Sequence, residues 1–326
     1  MPPPHVASPL PLEVVIPLRW NAARPGHDDE VGELTAYLRD LSALCHVTVV
    51  DGSDSSVRAR HVDAWSPYAR VLEPEGTGTN GKVVGCLTGL RAARHDLVVI
   101  ADDDVRHDAT TLSALVDMLS AADLVRPQNV YARWPWPARW DFARCLVNRA
   151  FGADWPGTFA LRRNAVLGAG GWSAEVLFEN LQLVRTAEAH GLRVVNAPGL
   201  GVLRTPPTAE HFASQRVRQA YDDFAQPGRL LAELALLPGL VALAVRRPWT
   251  LVTPLVASIL VGEIGRRRFG GVAAPRTSAL WCPIWLVERS VCVWVAVGAW
   301  CRGGVTYHGR RVRHAALPVR LPPQGR

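Results

Sequence analysis

Lysine is almost missing from this chain of 326 residues: 35 of its 36 basic residues are Arg, and Lys82 stands alone. A coding bias towards Arg accounts for most of that. The one position that keeps a lysine is then a candidate for needing a compact ammonium rather than a planar guanidinium, chance survival being the other reading. Acidic residues nearly vanish after Gly228, where three face 14 basic ones, whereas the preceding part carries 26 against 22. A mildly acidic part followed by a basic, apolar one argues against a diffuse nucleic-acid surface, and no nucleic-acid partner is expected. The six cysteines lack any C-x-x-C spacing, which suggests neither a zinc site nor a disulfide framework and fits a reducing compartment. No internal repeat is found. Residues 1–11 are proline-rich and lack the basic start and apolar run of a secretory signal, so they read as a disordered tail. Disorder of the whole is excluded by a hydrophobic content of 48%.

What is present up to residue 228 is an alternation of apolar runs and helical periodicity, the pattern of an α/β domain. Residues 13–17 (EVVIP) read as a buried strand. Val31, Leu34, Leu38 and Leu41 recur at helical spacing, and residues 47–50 form a second strand. A short strand at 70–72 precedes the Gly-rich stretch 76–81, a helix is predicted over 83–94, and residues 97–101 (LVVIA) run straight into Asp102, Asp103 and Asp104. A helix follows at 109–120. Residues 127–157, rich in Trp, Pro and Arg, read as an irregular insertion with a short helix near 140–151. A strand at 158–161, a helix at 179–190, a strand at 192–196 and a helix at 208–224 complete the domain.

Beyond Gly228 come three apolar stretches, 230–245, 249–262 and 279–300, of which the third contains Glu288 and Arg289. A membrane span needs about 20 apolar residues. The first two stretches are marginal in length, but flanking arginines and tryptophans at 249, 281, 285 and 300 favour a membrane over a soluble helical domain. Two spans plus one interfacial or re-entrant helix would keep the arginines of 266–276 and those of the tail on the same, cytoplasmic side. The predicted organisation is thus a tail (1–11), a catalytic domain (12–228), membrane-associated helices (229–302) and a basic C-terminal tail (303–326).

Carboxylates at the carboxyl end of a strand sit at the crevice where α/β sheets bind ligands. Asp102 and Asp104, separated by one residue, can both reach a hard divalent cation that bridges phosphate oxygens; alone, the triplet is equally a solvated acidic turn. Asp51, at the end of the second strand, could accept from a base N–H or simply form a turn. Residues 76–82 (GTGTNGK) satisfy G-x-x-x-x-G-K, yet position 83 is Val where a P-loop needs a hydroxyl, and the loop follows the third strand. Gln215 and Arg218, three apart, share a helix face that could meet a diphosphate.

In this order, the strand ending at Pro17, Asp51-Gly-Ser, Asn80-Gly-Lys, the Asp-rich strand end, Gly170-Gly-Trp172, Glu179-Asn180 and Gln215-x-x-Arg218 resemble the inverting family 2 glycosyltransferases. The likeness covers roughly residues 12–310 and is to their membrane-bound, ceramide-glucosyltransferase-like branch; residues 304–311 are similar to that branch's terminal motif. The resemblance implies a GT-A fold, a nucleotide-diphosphate sugar donor and Mg²⁺ or Mn²⁺. It puts Asp51 at the nucleobase and Lys82 at the nucleotide, with Pro17 and Asp103 also on the donor side. Asp102 and Asp104 would hold metal and diphosphate, and Gln215 and Arg218 would match Q-x-x-R-W, with Gln219 where Trp is usual. It also implies a general base at the second place of Glu179-Asn180, where an amide cannot take a proton. Either Glu179 takes over, or Asn180 only positions the acceptor, or the chain is catalytically weak. The WPWPARW segment and the Gly170–Trp172 loop are expected on the acceptor side, with packing or membrane contact an equal reading of their aromatic residues.

The expected function is therefore transfer of a sugar to a lipid or other membrane-embedded acceptor, at the cytoplasmic face of the cell membrane. Two rivals are a degenerate glycosyltransferase fold acting as a binding or scaffold protein, motivated by Asn180 and Gln219, and a P-loop nucleotide hydrolase, motivated by GTGTNGK.

Overall fold

The computed structural model describes residues 9–21, 27–152, 154–268, 274–307 and 309–319. Much of the two predicted tails, and His308, lie outside the described residues. The domain opens with β1 (Leu12–Leu18), α1 (His27–Ser42), β2 (His46–Asp51), α2 (Ser55–Trp65), β3 (Arg70–Leu72), α3 (Gly81–Ala92) and β4 (Leu97–Ile100). It continues through β5 (Val105–Arg106), α4 (Ala109–Leu119), β6 (Leu124–Tyr131), α5 (Trp136–Ala150), β7 (Phe159–Arg162) and α6 (Arg163–Gly168). Then come α7 (Glu179–Ala189), β8 (Val194–Arg204) and α8 (Ala209–Tyr221), which tightens into a 3₁₀ turn over Asp222–Ala225.

Eight strands form one sheet in the order β3-β2-β1-β4-β7-β6-β8-β5. β3, β2, β1 and β4 are parallel, β7 runs against β4 and β6, β6 and β8 are parallel, and β5 pairs antiparallel with β8. β1 shows why the sequence chooses a central strand. All seven of its residues are buried; Val14 and Ile16 enter the core under α1 and α4, while Val15 enters the one under α3 and α7. A strand covered on both faces is apolar throughout rather than alternating. Its one charge, Glu13, is satisfied inside the protein: its carboxylate accepts from Thr48 Oγ1 at 2.5 Å and from the Arg94 amide at 2.6 Å.

The segment expected to be irregular contains a strand instead. All eight residues of β6 are buried, Arg126, Gln128 and Asn129 among them. Its polar residues conceal the strand pattern, and the ladder with β8 shifts register between Arg126 and Gln128, at Pro127, which has no N–H to donate. Of the readings open for Trp172, packing is the one the structure shows: it is buried in the core with Leu183 and Val184.

Three helices follow: α9 (Pro227–Arg246), α10 (Val252–Arg268) and α11 (Cys282–Cys301). Pro227–Arg246, Pro248–Arg268 and Ser278–Cys301 are each long and apolar enough to cross a membrane. Their packing differs. Past Glu233, no residue of α9 is buried. α10 rests its second half on α5, where Gly265 is needed because a Cβ there would come within 1.9 Å of the Leu146 carbonyl oxygen. α11 lies along the catalytic domain from end to end. Cys282 and Trp285 pack with Ala143, Arg289 pairs with Asp223 at 2.8 Å, and Trp300 stacks on Phe224. Its opposite face carries the exposed Ile284, Val287, Val291, Trp294 and Val295.

The C-terminal segment returns to the domain. β9 (Val305–Tyr307) and β10 (Arg310–Val312) form a hairpin. Backbone bonds from Leu177 and Phe178 to residues 314 and 315 then strap the chain to the entrance of α7. Residues 303–307 and 309–319 are therefore built against the catalytic domain, where the sequence suggests a basic tail.

Candidate active site

The carboxyl ends of β1, β2 and β4 open onto a cleft of about 670 Å³, walled on the far side by α7, α8 and the β9–β10 hairpin. Pro17, Lys82, Asp102, Asp103, Asp104, Glu179, Asn180, Gln215 and Arg218 all line it. Residues up to 200 positions apart in sequence thus share one wall, because parallel strands place their ends at one edge and α8 folds back across it.

At the centre of the cleft floor is Lys82. Asn80 caps α3, its side-chain oxygen accepting from the Lys82 and Val83 amides, and Lys82 follows one turn into the cleft. Its Nζ lies 2.6 Å from Asp102 Oδ1 and 3.1 Å from Glu179 Oε1. Burial works against the ammonium, but the two carboxylates outweigh it and hold its pKa well above the ordinary value. Lys82 is a bridge between β4 and α7. The same geometry removes the P-loop reading: Asn80 already caps the amides a phosphate would need, and the loop is fastened by Asn80 N and Thr79 Oγ1 donating to Ala174 O and by Arg310 donating to Gly78 O.

Asp102 is fitted into a space left by Gly157, where a Cβ would fall 1.6 Å from Oδ2. Asp103 accepts a hydrogen bond from the Trp20 indole N–H. Asp104 receives Arg204 Nε at 2.7 Å on Oδ2, while its Oδ1 is buried with no hydrogen-bond partner. Burial raises the Asp104 pKa, and Asp102 and Asp103 add to the effect against the pull of Arg204. Among the described residues, no group of three or more His, Cys, Asp or Glu side chains forms a ready metal cage. A cation bridging phosphates needs only one or two carboxylates and completes its shell with phosphate and water oxygens. The unpartnered Oδ1 beside two further carboxylates fits such an ion.

Asp51 is not in the cleft. It is fully buried behind Gly52, with Oδ2 2.6 Å from His61 Nδ1 and Oδ1 accepting the Ser53 amide at 2.8 Å. Burial alone would raise its pKa, yet these hydrogen bonds hold it low. The expectation that Asp51 meets a nucleobase is corrected: both oxygens are spent on its own loop and α2, and Gly52 takes the place in the wall.

Across the cleft, α8 presents Gln215 and Arg218. Gln215 Oε1 and Arg218 Nε are buried without partners, and the Arg218 guanidinium stands 5.1 Å from the Tyr307 ring centroid. Gln219 donates to Asp141, whose carboxylate also receives Arg216 at 2.5 Å and the Tyr131 hydroxyl at 2.7 Å. Burial disfavours the Asp141 charge, but Arg144 and Arg216 win and keep it ionised.

Arg204, Asp222, Tyr307 and Arg310 also line the cleft, and sequence reasoning did not name them as site residues. Asp222 had a signal, lying four residues after Arg218 on the same helix face. Arg204 had none, since it reaches Asp104 only through the pairing of β5 with β8.

A sequence model of the family described as Glycosyltransferase like family 2 matches residues 35–222. No curated protein sequence matches. Among solved structures, the mannosyltransferase PcManGT from Pyrobaculum calidifontis, in complex with GDP-Man and Mn2+, is similar at 19% identity and a TM-score of 0.54, covering 89% of this chain and 88% of that one. Glucosyl-3-phosphoglycerate synthase from Mycobacterium tuberculosis, in complex with Mn2+, uridine diphosphate and glucosyl-3-phosphoglycerate, is 20% identical with a TM-score of 0.41, covering 64% and 77%. S. aureus TarS is 13% identical with a TM-score of 0.42, covering 91% and 92%. Such identities speak to fold alone, and of these three the mannosyltransferase carries that point: the described residues from β1 to the end of α8 form a GT-A-like domain. The family match runs from α1, through the Asp-rich end of β4, to Asp222 at the end of α8, more than half of the chain, and the chain therefore belongs to the glycosyltransferase-like family 2.

Proposed function

We propose that this glycosyltransferase moves a sugar from a nucleotide-diphosphate donor to a lipid or other membrane-embedded acceptor, with inversion, assisted by Mg²⁺ or Mn²⁺. The observation that carries the reading is the convergence of Lys82, Asp102–Asp104, Glu179 and the Gln215–Arg218 face on one cleft. The nucleotide is placed towards Pro17 and Gly52, and the diphosphate between Asp102–Asp104 and α8. Asp104, through its free oxygen, and Asp102 would hold the divalent ion, which when bound offsets charge on the departing diphosphate. Arg218, steadied over Tyr307, offers a guanidinium fork to phosphate oxygens. Lys82 keeps Asp102 and Glu179 in place as a fixed positive charge beside the reacting phosphates. Asn180 supplies an amide that orients the acceptor hydroxyl without taking its proton. A single displacement, with the acceptor opposite the leaving diphosphate, inverts the anomeric carbon.

The membrane part of the reading rests on how the helices pack. α9 and the first half of α10 are free to enter a bilayer. α11 is seated on the domain along its whole length and offers one apolar face, the pattern of a helix lying in the interface. The arginines at the end of α10 and those of the β9–β10 hairpin then lie on the catalytic side, which makes that side cytoplasmic. Gln226 and Arg229, at the root of α9, line the same cleft, which supports an acceptor arriving from the side of the apolar helices.

Turnover of UDP-glucose and GDP-mannose by the full chain in liposomes, with Mn²⁺ or Mg²⁺, tests the proposal. Asp104→Ala is expected to lower turnover by about 10²-fold or more, the scale of removing an electrostatic stabiliser. Equal turnover would remove the metal role, and nucleotide binding without turnover of any donor would favour a binding or scaffold role.

A further inference from the structure

We infer that Asp222 is the general base of the transfer, the carboxylate that removes the proton from the acceptor hydroxyl. The inference rests on the glycosyl-transfer reading above and supplies what Glu179-Asn180 lacks.

The carboxylates of the cleft differ in what holds them. Asp102 and Glu179 are both on Lys82, Asp104 is on Arg204, Asp141 is on Arg216, and Asp223 is on Arg289 and Arg229. Asp222 has neither a hydrogen bond nor an ion pair on its carboxylate among the described residues, yet it lines the same cleft as Asn180 and lies within electrostatic reach of Arg218 and Glu179. Its place is set by α8, whose cleft face runs through Gln215, Arg218 and Asp222 at helical spacing. The chain then turns through Gln226 into α9, so Asp222 stands between the diphosphate-facing Arg218 and the root of the apolar helices.

A base needs a lone pair that no cation occupies and a proton affinity near the working pH. Half-burial pushes the Asp222 pKa up to about 7; Arg218 on α8 and Arg144 on α5 pull against this, while Glu179 on α7 and Asp223 on the 3₁₀ turn reinforce it. Arg229 on α9 and Tyr307 and Arg310 on the hairpin are the other charged or titratable groups in that part of the wall. Asp222 is then largely ionised above neutrality and able to keep a proton once it has taken one. Glu179 already has an oxygen on Lys82, 3.1 Å away, an ammonium that it shares with Asp102.

In the step itself, the acceptor oxygen forms a bond to the anomeric carbon. The bond from that carbon to the diphosphate oxygen breaks, and its electron pair leaves with the nucleoside diphosphate. The hydroxyl proton passes to the Asp222 carboxylate and from there to solvent.

The test uses the full chain in liposomes of bacterial polar lipids with Mn²⁺ and labelled UDP-glucose or GDP-mannose, counting label in lipid and as free sugar from pH 5 to 9. Binding of UDP and GDP with Mn²⁺ is measured alongside. Wild type is expected to gain kcat as pH rises through about 7. Asp222→Asn is expected to lose about 10²–10⁴ in kcat and the acid limb, with unchanged nucleotide affinity. Asp222→Glu should keep the limb, and so should Glu179→Gln. An acid limb that survives in Asp222→Asn, or a kcat within about twofold of wild type, overturns the proposal, as does loss of the limb in Glu179→Gln instead. Failure of wild type to bind either nucleotide sinks the glycosyl-transfer reading itself, and binding without any turnover leaves no reaction for Asp222 to serve; both differ from a failure of Asp222 alone.

Discussion

The two ends of the cleft are built on opposite principles. At the strand-end side, most carboxylates are held by cations: Lys82 joins Asp102 to Glu179, and Arg204 holds one oxygen of Asp104. On the α8 side, the Asp222 carboxylate carries no hydrogen bond or ion pair among the described residues, and Gln215 Oε1 and Arg218 Nε are buried without hydrogen-bond partners. Paired charges fix geometry but lose reactivity; unpaired ones are costly to bury and remain available to a substrate. In the proposed reading, the contrast gives rigidity to the strand-end side of the diphosphate and reactivity to the side beyond Arg218, where Asp222 would meet the acceptor.

The largest effect should come from breaking the paired end. Lys82→Ala leaves Asp102 and Glu179 facing each other with little water, which is expected to cost about 3–5 kcal/mol of stability, the scale of removing one member of a buried ion pair. Thermal unfolding measures it, and an unchanged Tm would show that the bridge is not structural. Lys82→Arg should recover only part of the loss, since a fork does not fit where one nitrogen touches two separate carboxylates.

Next comes the seat of α11. Arg289 is fully buried against Asp223 and Glu233, but Arg229 also reaches both acids at 2.9 Å. Arg289→Leu should therefore cost less than the removal of Lys82, about 2 kcal/mol. In liposomes it should also raise protease cleavage between α10 and α11, because α11 loses its polar anchor to the domain. Cleavage equal to wild type would mean that apolar packing by Trp285 and Trp300 is sufficient.

Gly157→Ala sharpens the comparison without removing any charge. The backbone at Gly157 suits any residue, so the only change is a methyl group at the position of the Asp102 carboxylate. The donor end should lose about tenfold in affinity for nucleotide with Mn²⁺, equivalent to about 1.4 kcal/mol. The pH dependence carried by Asp222 should stay. Calorimetric titration with UDP and GDP reads the first, and a pH series of turnover reads the second.

Much of the cleft was legible in the sequence, and the reason is local. An apolar strand running into Asp102–Asp104 announces a sheet edge, the isolated Lys82 marks itself by composition, and Gln215 and Arg218 declare a common face by spacing alone. What was not legible depended on partners far along the chain. Asp51 reads as a cleft residue until His61, ten positions later on α2, is seen to claim it. β6 is concealed by the polar residues that its ladder with β8 buries. Trp172 reads equally as an acceptor-side or a packing aromatic, because nothing nearby tells that α7 will cover it. Asp222 carried its own signal, one turn after Arg218, but a lone aspartate at a helix end also serves as a turn former, and only the cleft separates the two roles.

The smallest effect follows from the unpaired end and has a sign opposite to the others. The Asp222 carboxyl, with a pKa near 7 in the folded protein, titrates near 4 once unfolded. The folded state then holds this proton more tightly, so the contribution of Asp222 to stability is complete below about pH 4 and is lost as pH rises through about 7. Above neutrality the folded protein carries an ionised, half-buried carboxylate next to Glu179 and Asp223, a cost that the unfolded chain escapes. Asp222→Asn keeps the shape and removes that charge, so at pH 8 it should be more stable than wild type by about 1–2 kcal/mol, an amount reduced from the full shift because water reaches the cleft. At pH 4 the two should unfold together. Asp104, whose pKa is also raised, is present in both proteins and cancels in the difference. A residue kept for structure would lose stability on replacement, whereas one kept for reactivity at a cost to stability should gain it. Unfolding curves of the two proteins at pH 4 and pH 8 tell these apart, and a variant less stable than wild type at pH 8 would place Asp222 with the paired, structural charges of the other end.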